Sequence, residues 1–146
     1  MCWLSKLLSP EVKVPYKPVS SKKVSLSELD MFLKDKFPDV SLFLSDNEYT
    51  LCHYDDVAYF LATSQIDKME FVSEELDCDD FAAALWGEFS IPPWSALAVG
   101  LVWTEVHTLN IVVTEDMKVL FLEPQTDEIN EQLVSWQGTE PRLIII

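Results

Sequence analysis

Ala98-Val99-Gly100-Leu101-Val102-Trp103-Thr104, followed by Val106-His107-Thr108-Leu109-Asn110-Ile111-Val112-Val113-Thr114, is the stretch that decides the fold. Its apolar residues run continuously or alternate, and β-branched side chains dominate; helical three-and-four spacing is missing. It reads as two strands, Ala96 to Thr104 and Val106 to Thr114. Val119 to Glu123 supplies a third strand after the polar triplet Glu115-Asp116-Met117, and Arg142 to Ile146 a last one. If 106–114 and 119–123 form a hairpin about that triplet, Ile111 faces Phe121 and Leu109 faces Glu123. His107 then becomes a diagonal neighbour of Glu123 on one sheet face.

Upstream the period is helical. Ser25-x-x-Glu28 is a capping-box pattern, and Leu26, Leu29, Phe32, Leu33 and Phe37 share one helix face that Pro38 closes. Val40 to Leu44 can be a strand. Asp55-Asp56 open and cap a second helix carrying Val57, Phe60, Leu61 and Ile66. Asp77 is a good N-cap for a third, which runs to about Phe89 with Phe81, Leu85 and Phe89 recurring every four residues, before Pro92-Pro93. A short helix is expected over Asp127–Trp136. Helices lead and a mostly antiparallel sheet follows, which is α+β organisation in one domain over residues 25–146. Residues 1–24 read as an extended basic arm, interrupted by Pro10, Pro15 and Pro18 and carrying Lys13, Lys17, Lys22 and Lys23. Charge asymmetry suggests that this arm docks on the acidic body, where it could cover a cleft in cis.

The bulk numbers exclude several classes. Ten basic against 25 acidic residues give a net charge of −15, which repels nucleic-acid phosphates and anionic membranes and favours cations or a basic protein partner. A hydrophobic fraction of 49% excludes a disordered chain. Three glycines leave no glycine-rich phosphate loop. Cys2, Cys52 and Cys78 are an odd set without a CxxC pair, so neither a zinc site nor a disulfide framework is expected, and free thiols point to a reducing, cytoplasmic setting. The first residues are too interrupted for a signal core, and no run reaches membrane-spanning length.

The chemistry-bearing residues are Cys78, His107 and Glu123. Cys78 stands in Glu74-Glu75-Leu76-Asp77-Cys78-Asp79-Asp80-Phe81, at a helix N-terminus whose unpaired N–H groups favour a thiolate. Asp77, Asp79 and Asp80 oppose that, since like charge disfavours the anion. An imidazolium beside the sulfur or a bound cation would relieve the conflict. Thiol, imidazole and carboxylate in this chain order outline a cysteine-nucleophile hydrolase acting on a peptide or protein substrate. Two other readings stay open: a catalytically silent acidic protein that binds a basic host protein or mimics nucleic acid, and a module in which the aspartates hold a cation only to stabilise the fold. Cys52 and His53 are adjacent on an extended segment, point apart and form no dyad. Trp86, Trp94, Trp103 and Trp136 are core or cleft walls; a papain-like arrangement would let Trp94 and Trp103 line a groove, and core packing is the preferred reading for both.

Four blocks in order carry a family resemblance: Asp77-Cys78-Asp79-Asp80-Phe81-Ala82, Ala98 to Trp103, His107-Thr108-Leu109-Asn110, and Phe121-Leu122-Glu123-Pro124-Gln125-Thr126. Over roughly residues 70–130 the chain resembles the papain-like protease domain of the mushroom-agglutinin (MOA-type) lectin family, and it looks like a small stand-alone relative of bacteriophage origin. The resemblance implies a papain-like fold, with Cys78 as nucleophile, His107 as general base and Glu123 as orienting carboxylate. It also implies calcium dependence, with Asp79, Asp80, Gln125 and Asn110 at the metal site. The sugar-binding trefoil of those lectins has no counterpart in this chain.

Overall fold

The structure is a computed structural model that describes residues 15–146; the expectation of an arm over residues 1–14 lies outside the described residues. β1 (Lys23–Ser25) leads directly into α1 (Leu26–Lys36). The α1 cap is the one read from sequence: the Glu28 N–H donates to Ser25 Oγ at 3.2 Å and the Ser25 N–H donates to Glu28 Oε2 at 2.7 Å. β2 (Ser41–Phe43), β3 (Glu48–Thr50), α2 (Tyr54–Thr63), a 3₁₀ turn (Ile66–Lys68) and α3 (Cys78–Phe89) follow. The second half is β4 (Val99–Trp103), β5 (Thr108–Val113), β6 (Val119–Glu123), β7 (Glu128–Asn130), a second 3₁₀ turn (Ser135–Gln137) and β8 (Leu143–Ile145).

Six strands form one sheet in the order β2-β8-β4-β5-β6-β7, antiparallel except for the β2–β8 pair, and β1 pairs with β3 in a separate ribbon. The β5–β6 hairpin has the register expected from its triplet turn, with Ile111 opposite Phe121 and Val113 opposite Val119. Leu109, Ile111, Val113, Phe121, Val102 and Ile144 pack with Leu29 and Leu33 of α1 on one face. Val99, Val112, Leu120 and Leu122 pack with Val57, Phe60 and Leu61 of α2 and Phe81, Leu85 and Phe89 of α3 on the other. With both faces covered, every residue of β5 and β6 is buried, which is why these strands read as nearly unbroken apolar runs.

Two local expectations are corrected. No helix forms over Asp127–Trp136: Asp127 takes a left-handed turn at φ 60°, and Glu128–Asn130 adds a strand to the β6 edge, with Leu122 opposite Ile129. An unpaired sheet edge is a strong demand for backbone partners, and it outweighs a weak local helix preference. Nor do Asp55 and Asp56 cap α2. His53 does so, its Nδ1 accepting the Asp55 N–H at 3.2 Å.

Asp56 is fully buried and serves the arm instead. It accepts the Tyr16 hydroxyl at 2.7 Å, the Val19 N–H at 3.1 Å, the Ser20 N–H at 2.7 Å, and the Ser20 hydroxyl. Burial alone would raise the Asp56 carboxyl; these donors outweigh it and hold the group below the usual carboxylate range. The Tyr16 ring stacks on Tyr59 with centroids 3.7 Å apart, and its phenol is pushed up to about 12, chiefly by the hydrogen bond to Asp56. The Ser21 N–H donates to Glu115 in the β5–β6 turn at 3.0 Å. The described part of the arm therefore docks at the end of the sheet where β5 turns into β6, away from His107 and Glu123.

Candidate functional site

Asp77 caps α3, and its N–H donates to Asp80 Oδ2 at 3.2 Å. Cys78 is the first helical residue and is half-buried. The direction of α3 across the sheet follows from two side-chain contacts. Asn110 Nδ2 donates to the Ala82 carbonyl at 2.9 Å, and Trp86 Nε1 donates to the Val99 carbonyl at 3.1 Å. Val99 lies opposite Val112, so α3 runs alongside β5 in the same direction. Cys78 precedes Ala82 by about 6 Å of helix. It therefore lies toward the sheet end where β5 begins and β6 stops, the end that carries His107 and Glu123.

His107 closes the β4–β5 connection. Thr104 organises that turn: its N–H donates to the His107 carbonyl at 2.9 Å, and its Oγ1 accepts the His107 N–H at 3.0 Å. His107 Nε2 lies 2.9 Å from Glu123 Oε2, with side-chain exposures of 8% and 0%. An ionised carboxylate only accepts, so Nε2 carries the proton and Nδ1 is the nitrogen left for other work. The predicted diagonal pair is thus a hydrogen-bonded pair. Among the described residues, no hydrogen bond joins Cys78 Sγ to His107. The structure brings His107 and Glu123 together and places Cys78 at the same sheet end, on the helix that covers the opposite face.

Two neighbours complete this pair: Gln137, which was not read from the sequence, and Trp136, read there only as a core or cleft wall. Gln137, 1% exposed, donates from Nε2 to the same Glu123 Oε2 at 2.9 Å. Trp136 sets its ring edge-on to His107 with centroids 4.9 Å apart, while remaining 55% exposed. Trp136 ends the segment expected to be helical and Gln137 directly follows it, so neither contact follows from the local pattern. Trp94 packs against Tyr16, Tyr59 and Phe60 at the far side, the core packing preferred for it over a place at the groove. Cys52 is fully buried, its thiol raised by burial and by the nearby Asp56 charge, and His53 is spent on its cap.

The residues proposed to hold a metal are dispersed. Donor atoms of Asp77, Cys78 and Asp79 lie within 4.8 Å of one another. The Asp79 carboxyl is raised, first by its hydrogen bond with Asp77, then by desolvation and by the charges of Asp77 and Asp80. Asp80 is engaged in the cap, and Gln125 stands beyond β6 with its N–H 3.5 Å from Glu123 Oε1. Asn110 is fully buried, with both amide contacts made to the Ala82 and Gly100 carbonyls and with Oδ1 unpartnered. Its sheet face is that of α3, opposite to the face of Phe121 and Glu123.

Among the described residues no helix is long and apolar enough to cross a membrane. No protein-family model matches the sequence, and no curated protein is significantly similar to it. Solved structures are similar in fold. A chain of the PSL1a–E64 complex superposes with a TM-score of 0.71 at 22% identity, over 87% of this chain and 52% of that one. Polyporus squamosus lectin bound to the human-type influenza-binding epitope Neu5Acα2-6Galβ1-4GlcNAc gives 0.69 at 20% identity, over 87% and 50%. This chain spans about half the length of those lectin chains. Its fold is the α+β, papain-like arrangement they contain, with helices packed on a largely antiparallel sheet.

Proposed function

We propose that this chain is a cysteine hydrolase of peptide bonds, with Cys78 as nucleophile, His107 as general base and Glu123 as the carboxylate that orients it. The observation that carries the reading is the buried 2.9 Å contact between His107 Nε2 and Glu123 Oε2 at the sheet end toward which α3 carries Cys78. In the reaction, His107 Nδ1 takes the thiol proton and the sulfur adds to the peptide carbonyl carbon. The C–N bond then breaks as His107 returns the proton to the departing amine, and water hydrolyses the resulting thioester. Glu123 fixes the tautomer and supports the imidazolium that forms. The Cys78 N–H, at the helix start, is one donor for the developing oxyanion. One of the similar lectin chains is a complex with E64, an epoxide-bearing electrophile, and that supports thiol chemistry in this fold.

Calcium fits the first turn of α3 in chemistry: Asp77 and Asp79 offer hard oxygen donors, and their mutual repulsion is the charge a dication would offset. When bound, it would supply positive potential that favours the Cys78 thiolate. Asp80 and Gln125 are the further oxygen donors of the proposal.

The test is labelling of the full chain with E64, with and without calcium, read by peptide mass spectrometry. Selective modification of Cys78 over Cys2 and Cys52, lost in His107→Ala, is the expected result. Peptide cleavage that survives Cys78→Ala would overturn the assignment. Absence of labelling under both conditions would favour the acidic-partner reading, motivated by the net charge of −15.

A further inference from the structure

We infer that Gln137 is a positioning residue for the His107–Glu123 pair, held in place by a strap over residues 134–139. The inference rests on the hydrolase reading for its consequence in catalysis, and on geometry alone for the positioning itself.

Glu123 Oε2 is shared. It accepts from His107 Nε2 at 2.9 Å and from Gln137 Nε2 at 2.9 Å, while Glu123 Oε1 has only the long 3.5 Å contact from the Gln125 N–H. A fully buried carboxylate is costly without hydrogen-bond donors, and among the described residues Gln137 is the neutral side chain that supplies a short one. The Gln137 amide cannot turn over, because its Oε1 accepts the Val134 N–H at 3.0 Å. Its backbone is tied as well: the Thr104 hydroxyl donates to the Gln137 carbonyl at 2.6 Å. The same hydroxyl oxygen accepts the His107 N–H at 3.0 Å. One threonine thus sets the position of the histidine backbone and of the glutamine that steadies its carboxylate.

The neighbouring residues complete the strap. Gly138 adopts φ 113°, and a Cβ there would stand 2.6 Å from Thr104 Oγ1 and 2.7 Å from Thr104 Cβ. Glu105 Oε1 accepts the Thr139 N–H at 2.7 Å and the Thr139 hydroxyl at 2.9 Å. Trp136 leans its ring on His107 from the solvent side. The β4–β5 turn and the 134–139 segment are therefore tied to each other around the pair.

The experiment is a ¹⁵N-histidine NMR titration of the full chain, using the chain's other histidine, His53, as internal reference. The wild type should hold the neutral His107 ring with its proton on Nε2. Gln137→Met keeps the volume and removes the donor, so the ring should become a mixture of tautomers, with E64 labelling of Cys78 slowed by about tenfold or more. Gln137→Glu keeps the shape and puts a second carboxyl against Glu123 where the amide donor stood, so it too should release the Nε2–H tautomer and slow labelling of Cys78. A residue that only fills space would leave both readouts unchanged in this near-isosteric variant. Should Gln137→Met not fold, Gln137→Glu carries the test.

Wild-type tautomer and titration in both variants would overturn the inference. A tautomer change in the variants together with an unlabelled wild-type Cys78 would uphold the positioning role and count against the hydrolase reading, so the two fail separately.

Discussion

His107 Nε2 and Glu123 Oε2 are 2.9 Å apart in a pocket that leaves the carboxylate without solvent contact. The contact assigns the two ring nitrogens to different work, Nε2 to the carboxylate and Nδ1 to the thiol of the proposed reaction. Glu123→Gln retains the shape and removes the charge that supports the imidazolium; its amide oxygen can still accept from His107 and Gln137, which sets the amide nitrogen against the Gln125 N–H. E64 labelling of Cys78 should fall by ~10²-fold or more, as for the loss of an orienting carboxylate in comparable triads, with little change in the circular dichroism spectrum. Labelling at the wild-type rate would remove Glu123 from the proposal.

Cys78→Ser should leave the melting temperature within about 2 °C of wild type, because the side chain is half-buried at a helix start and makes no hydrogen bond to His107 among the described residues. E64 incorporation should vanish. Cys52 should stay unmodified in both forms, since its thiol is enclosed and raised by burial. Intact-mass spectrometry reads both outcomes.

Gly138→Ala should destabilise the fold by ~1–3 kcal/mol, because the backbone there is left-handed and the new methyl group meets the Thr104 side chain. Urea unfolding measures this. A loss below about 0.5 kcal/mol would mean that the strap is looser than its contacts imply.

The docked arm predicts a stability that depends on acid pH. Asp56 has a folded-state pKa below its unfolded value. Its contribution is therefore complete above the unfolded value of ~4 and is lost as pH falls through the folded one. Asp56→Asn should cost ~1–3 kcal/mol at pH 7 and flatten the stability profile below pH ~4. Denaturant melts across pH 2–7, an experimental range of about 5 units, would show an unaltered profile if the clasp were immaterial.

Asn110→Leu separates a structural role from a metal role. Asn110 bridges Ala82 of α3 and Gly100 of β4 from inside the core. Removing it should lower stability by ~1–3 kcal/mol and leave any calcium-induced rise in melting temperature intact. Asp79→Asn should do the reverse, reducing the calcium response with little effect on the metal-free protein. A calcium response abolished by Asn110→Leu alone would return Asn110 to the metal site.

The sequence by itself determined what is local. Ser25 and Glu28 close their own capping box, Asp77 starts α3, and the triplet Glu115-Asp116-Met117 sets the β5–β6 register from which the His107–Glu123 approach follows. Each depends on residues close in the chain, so spacing and side-chain chemistry are enough. Tertiary structure alone decided the rest. The β6 edge drew Glu128–Asn130 into the sheet where a helix was expected, and the chain beyond it brings Trp136 to His107 and Gln137 to Glu123. Asp56 became the anchor of the arm because packing buried it beside Tyr16 and Ser20, residues almost forty positions away. Strand alternation already set Asn110 on the face opposite to His107, and packing decided that α3 covers that face. Those outcomes are set by where backbone groups and charges find partners across the fold, and a linear pattern of residue types carries no record of such distances.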